Sequence, residues 1–103
     1  NNDPADDLKL LAILRLARVE AAKGNTDKAL AMLEEQDAGT MTSAYEEAKG
    51  DFHISLGHYE AAYTSYQTAM DTEDTGNARQ LSILRLKMSQ AKPVEAAESQ
   101  GDS

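Results

Sequence analysis

The sequence predicts an all-α protein: a short α-α solenoid of two stacked helical hairpins closed by one C-terminal capping helix. Three observations carry this reading. First, the chain repeats with a period of 33 residues, which sets Ala17 on Gly50, Gly24 on Gly57, Asp27 on Glu60, Ala29 on Ala62 and Leu33 on Tyr66. Second, Leu81-Ser-Ile-Leu-Arg-Leu86 nearly restates Leu11-Ala-Ile-Leu-Arg-Leu16 and opens a third copy. Third, the only prolines, Pro4 and Pro93, lie near the ends, so no helix between them is broken. A fixed period of this length marks stacked units that bury their apolar faces on one another and present surfaces for binding.

The elements follow in order. Asp3-Pro4 starts a helix, with Asp as N-cap and Pro in the first turn, and the helix runs to about Lys23 before Gly24-Asn25 stops it. A second helix spans Thr26 to about Gln36, and Ala38-Gly39 ends it, so residues 4–38 form the first repeat. The second repeat, residues 40–71, opens near Thr40 to Ser43, where Ser43 and Glu46 have capping-box spacing. Its helices run to Leu56-Gly57 and from Tyr59 to about Met70. After the polar stretch Asp71–Gly76, Asn77 and Gln80 again have capping-box spacing and start a capping helix over residues 77–91. Residues 92–103 have no periodic apolar face and read as a frayed tail.

The first helix carries Leu8, Leu10, Leu11, Ile13, Leu14, Leu16 and Val19 around most of its circumference. A helix apolar nearly all round asks for cover on several sides. The second helix supplies only part of it. The remainder calls for an earlier repeat, a second copy of the chain or a partner.

Composition narrows the function. At 103 residues the chain holds one small domain, and its single Phe, four Tyr and absent Trp leave the core to Leu, Ile, Ala and Met. Without cysteine there is no disulfide, thiolate metal site or Cys nucleophile, and this fits any compartment. No apolar run reaches the roughly 20 residues of a membrane helix. The chain opens Asn1-Asn-Asp-Pro4 without Met or a signal peptide, which we read as a processed or excised form. Of the net charge of −8, the stretch Glu34–Asp74 holds ten carboxylates against one base, Lys49. Such a surface disfavours nucleic acid and anionic lipid, and we read it first as a solvated acidic face.

Residues 44–70 resemble the tetratricopeptide repeat. Gly50 stands where the two helices approach, Gly57-His-Tyr59 at the turn, and Ala62, Tyr66 and Ala69 along the second helix. The first repeat matches through Ala17, Gly24, Ala29 and Leu33, without the aromatics. A narrower resemblance covers about residues 3–90. Asp3-Pro4, Leu14-Arg-Leu-Ala-Arg-Val19, Gly24, Lys28-Ala-Leu30, Tyr45-Glu46, Gly50-Asp51, Gly57 and Leu84-Arg-Leu-Lys-Met88 look like the C-terminal part of the YfgM-type family. That family's members are bacterial inner-membrane proteins with one N-terminal transmembrane helix and a periplasmic tetratricopeptide domain. They are regarded as ancillary subunits of the Sec translocon that work beside periplasmic chaperones. The resemblance implies a protein-interaction module on the periplasmic side of the inner membrane, with translocon components, chaperones or emerging chains as partners. The chain departs from the family in lacking the anchor and the earlier repeats, and in carrying the tail from Lys92.

Catalytic, cofactor and metal sites are not expected. His53 and His58, with Asp51 nearby, are the only acid-base or metal candidates, and five residues apart across a helix end they are poorly placed to share an ion. We read His53 as packing in an aromatic slot. Glu34-Glu35 and Glu46-Glu47 diverge on their helices and are solvated charges. No phosphate loop or Ser-His-Asp arrangement is visible, so an enzyme is not expected.

In tetratricopeptide arrays the first helix of each hairpin lines the concave face. The resemblance therefore places a partner groove on Leu11, Leu14 and Arg18, on Glu47, Asp51, Ile54 and Ser55, and on Leu81 and Leu84 of the closing helix. Such a groove is apolar at its ends and acidic in its centre, which suits a partner with apolar anchors and a basic centre. It does not suit a C-terminal carboxylate, which calls for inward Lys, Arg and Asn. Leu11 and Leu14 equally fit packing against a neighbouring repeat, and Leu81 and Leu84 read first as packing. The alternatives are self-assembly through the apolar first helix, and a cytoplasmic adaptor built from the same repeats.

Overall fold

The structure, a computed structural model, describes residues 4–91, and the expected N-cap Asp3 and tail lie outside them. Five α-helices follow one another: α1 (Pro4–Ala22), α2 (Thr26–Glu34), α3 (Thr42–Ser55), α4 (Tyr59–Thr72) and α5 (Ala78–Gln90). No strand occurs among the described residues. None of these helices is long and apolar enough to cross a membrane. The all-α solenoid of two hairpins and a closing helix is therefore the observed architecture.

The 33-residue period is written into the backbone at the turns. Gly24 and Gly57 take φ values of 96° and 79°, in the left-handed region that favours glycine. Around Gly24, Gly24 N–H donates to Ala21 O and Asn25 N–H to Glu20 O; around Gly57, Gly57 N–H donates to Ile54 O and His58 N–H to His53 O. Each pair is the 5→2 and 6→1 closure of a Schellman motif, so helix ends and register are fixed together.

Side chains at these matched positions differ. In the first turn Asn25 Nδ2 donates to Glu20 Oε1 at 2.8 Å. The corresponding pair in the second is His53 and His58, whose rings lie 5.8 Å apart. His53 Nδ1 is buried without a hydrogen-bond partner. Burial, then the neighbouring His58, pushes the His53 imidazole below its ordinary range; Lys49 acts with them, and Glu34 and Glu46 oppose them.

The core falls into two clusters. One joins Leu14 and Ala17 of α1, Ala29 and Leu33 of α2, and Tyr45, Ala48 and Phe52 of α3, with Ala38 of the linker. The other joins Ala62, Tyr66 and Ala69 of α4 to Leu84 of α5 and to Ala91. Alanines recur because a methyl group lets two helices approach closely, and the larger residues fill the spaces between them. Gly50 takes this furthest. It is buried in α3 under the ring of Tyr66, and a Cβ there would overlap the ring. Two tyrosine hydroxyls find partners across helices: Tyr45 donates to Leu10 O and Tyr66 to Asp51 Oδ1, each at 2.6 Å.

Two local expectations change. α2 stops at Glu34, two residues early, and the linker forms a 3-10 turn at Gly39–Met41 that runs straight into α3. Ser43 consequently lies inside α3 and does not cap it; its hydroxyl donates to Ala69 O at 2.8 Å and lies 2.8 Å from Glu73 Oε1, at the end of α4. The Asn77 cap does form, with Asn77 Oδ1 accepting from Gln80 N–H.

Two outcomes follow for stability. Gly50→Ala gains about 1 kcal/mol of helix propensity and loses more through overlap with Tyr66, for which overpacking costs are typically about 1–3 kcal/mol. Thermal unfolding should therefore show a net loss, and a higher Tm would disprove the close approach. For His53 the folded-state pKa lies below the unfolded one. Folded protein thus binds fewer protons, and the stability present above the ordinary pKa of about 6.5 is lost as pH falls through and below it. Tm measured from about pH 7.5 to 5 should fall with acid, and His53→Gln should flatten that slope.

Candidate functional site: the face of the first helices

The helices that open each unit, α1, α3 and α5, meet on one face of the array, and α3 lies in the middle. Its residues Glu47, Asp51 and Ile54 follow at helical spacing along this face. Glu47 and Asp51 are like charges four residues apart, an arrangement that destabilises a bare helix. Other helices supply the answer. Lys87 of α5 places Nζ 2.8 Å from Glu47 Oε2 and 3.1 Å from Asp51 Oδ1, bridging the two. Gln80, two turns earlier on α5, donates to Glu47 Oε1 at 2.9 Å. From the other side Arg18 of α1 reaches Asp51 Oδ2 at 3.4 Å. Tyr66 of α4 donates to Asp51 Oδ1, the oxygen that Lys87 also approaches.

Protonation equilibria report this wiring. Burial disfavours the charged form of Lys87, but its bonds to Glu47 and Asp51 and their charges outweigh burial and raise its pKa. Tyr66 is raised far above its ordinary value, by burial first and then by the hydrogen bond and charge of Asp51. Both groups stay protonated at neutral pH, so the network holds as donors around two carboxylates.

The expected groove residues separate under this geometry. Leu84 is fully buried in the α4–α5 core, and Leu14 is buried in the α1–α2–α3 core, so neither lines an open groove. Leu81 and Leu11 are half-buried. Ile54 is partly buried against the second core cluster, while Ser55 is exposed and Arg18 is nearly half exposed. The acidic centre is the main correction. Glu47 and Asp51 are matched by Lys87 and Arg18, so this part of the face is charge-balanced, and neither carboxylate is free for a basic partner. Sequence reasoning missed Lys87 and Gln80. The signal was present: Gln80, Leu84, Lys87 and Ala91 share one face of α5 at i, i+4, i+7 and i+11.

Beside the network lies a cleft of about 190 Å³ lined by Asp51, Ile54, Tyr66, Lys87 and Gln90. It offers one aliphatic wall, one aromatic wall and a paired ionic floor, a setting for a single side chain of a bound segment. The two histidines do not join this face; they close the α3–α4 turn. No group of three or more His, Asp or Glu suited to a metal occurs among the described residues.

Paired α-hairpins in a 33-residue register, each turned by a left-handed glycine, agree with a match to the tetratricopeptide repeat-like domain that covers residues 1–92. The chain belongs to the tetratricopeptide repeat-like family. No curated protein and no solved structure matches it. Within the family frame, α1–α2 and α3–α4 are two tetratricopeptide-like hairpins, and α5 is the first helix of a third unit.

Asp51→Asn tests whether the network is structural. The variant keeps an oxygen for Tyr66 but removes the charge shared by Lys87 and Arg18. It should lower stability by about 1.5–3 kcal/mol, the range for hydrogen bonds to charged groups. In about 1 M NaCl, where screening acts over about 3 Å, its deficit against the wild type should shrink. A deficit indifferent to salt would assign the effect to packing.

Proposed function

We propose that the chain is a non-enzymatic protein-interaction module that holds an extended segment of a partner protein across the face of α1, α3 and α5. Family membership supports a protein partner, since tetratricopeptide-like arrays present surfaces for binding. The observation that carries the choice of face is the cleft between α3 and α5, whose polar floor is already satisfied by Lys87 and Tyr66. A partner therefore gains from apolar and hydrogen-bonded contacts at Ile54, Tyr66 and Gln90, and less from a run of basic residues.

The finer reading rests on resemblance. Leu14-Arg-Leu-Ala-Arg-Val19 and Leu84-Arg-Leu-Lys-Met88 look like the YfgM-type pattern. On that footing we place the module on the periplasmic side of a bacterial inner membrane, as part of an ancillary translocon subunit whose partners are translocon components, chaperones or emerging chains.

A photoreactive amino acid placed at Ser55, on the proposed face, should crosslink a partner in the producing cells. The same group at exposed Asp71 on α4 should not. Equal yields at both positions, or crosslinking from Asp71 alone, would move the binding surface elsewhere.

A further inference from the structure

The closing helix departs from its predecessors at two matched positions. The residues that precede α3 and α5, Met41 and Asn77, stand 36 residues apart, and so do Ala48 and Leu84, which are fully buried in their centres. In this register Gly50 falls on Leu86, and Gly57 on Pro93, which lies outside the described residues. At the first position the earlier units keep a small residue so that their second helix comes close. Ala17 shares a core cluster with Leu33, and Gly50 lies under the ring of Tyr66. Leu86 is instead 61% exposed. At the second position proline, whose φ is fixed at about −65°, cannot repeat the left-handed turn that Gly57 makes. The side of α5 on which its own second helix would lie is thus shaped for a different occupant.

That side has a pattern of its own. Arg79, Ser82, Leu86 and Ser89 follow at i, i+3, i+7 and i+10, and all four are exposed. Beside them a groove of about 450 Å³ runs between α4 and α5, walled by Tyr63, Met70 and Met88 and edged by Arg85. α5 carries three bases and no carboxylate, in a chain of net charge −8. Lys87 is committed to Glu47 and Asp51. Arg79 and Arg85 make no ion pair among the described residues.

We propose that this side of α5 docks an acidic amphipathic helix of a partner protein, at a site separate from the α1, α3 and α5 face that holds an extended segment. Shape sets how it lies. Ser82 and Ser89 are small on either side of Leu86, so a ridge of the incoming helix rests over the serines while the leucine enters a hole between its side chains. Apolar residues on the same helix reach Tyr63, Met70 and Met88, and the two thioethers adapt to an irregular surface. Charge sets its chemistry. Carboxylates along its edges meet Arg79 and Arg85, which have no acid of their own, and this complementarity selects against basic helices. A second copy of the chain docking through α5 would set arginine against arginine and bring no carboxylate from that helix.

The probe is a fluorescently labelled helical peptide with leucines along one face and glutamates on both flanks, compared with a peptide in which lysine replaces every glutamate. The net charge of the chain favours the basic peptide, so a preference for the acidic one isolates the α5 site. Fluorescence anisotropy at low salt should show the acidic peptide binding at least about tenfold more tightly than the basic one. Arg79→Glu with Arg85→Glu should invert that preference. Leu86→Gln should weaken the acidic peptide by a similar factor and leave the Tm nearly unchanged, because the side chain is exposed. Crosslinking from Ser55 should be indifferent to all three substitutions, so the extended-segment face stands or falls on its own. No acidic preference, a preference that survives the charge reversal, or binding indifferent to Leu86 would overturn the proposal. Binding to phosphatidylserine vesicles that exceeds binding to the acidic peptide and is lost with the two glutamates would also overturn it, by assigning the arginines to an anionic lipid surface.

Discussion

Asp51 is the point on which the array depends. Its carboxylate receives Arg18 from α1, Tyr66 from α4 and Lys87 from α5, while its backbone belongs to α3. The consequence is greatest for α5, whose helical span buries only Leu84. One leucine contributes about 1.5–3 kcal/mol on full burial, a modest anchor for a thirteen-residue helix. Glu47 and Asp51 supply the second attachment through Lys87, and Gln80 adds a third. Half-exposed ion pairs are individually weak. Here four donors share two carboxylates, and that connectivity makes the face a unit.

The Gly50–Tyr66 contact belongs to the same arrangement. Without a side chain at residue 50 the tyrosine ring lies across α3, and only from there does its hydroxyl reach Asp51. A packing feature of the repeat thereby sets the position of a polar one. This coupling is why the proposed binding face and the core cannot be varied independently in the second hairpin.

Much of this was legible in the residues, and what was not has identifiable causes. Glycine periodicity revealed the register because only a left-handed turn residue recurs so regularly, and Asn77 announced its cap correctly. Ser43 misled because capping spacing is local, whereas its hydroxyl answered a carbonyl 26 residues away. The groove was misjudged for a similar reason. Counting charges along the chain shows Glu47 and Asp51 as an acidic centre, yet their neutralising partners lie on α1 and α5. Leu84, counted among the groove residues but read first as packing, is core.

The two core clusters do not coincide with the two hairpins. One binds α3 to the hairpin before it, and the other binds α4 to α5. α3 and α4 nonetheless form the most closely joined helix pair of the array, through Gly50 and Tyr66, so each hairpin holds together and the clusters tie it to its neighbour. An array built this way grows or shrinks by whole hairpins, and each change covers or bares the apolar face of a single helix. Its ends, more than its middle, are therefore the places where selection for new contacts acts.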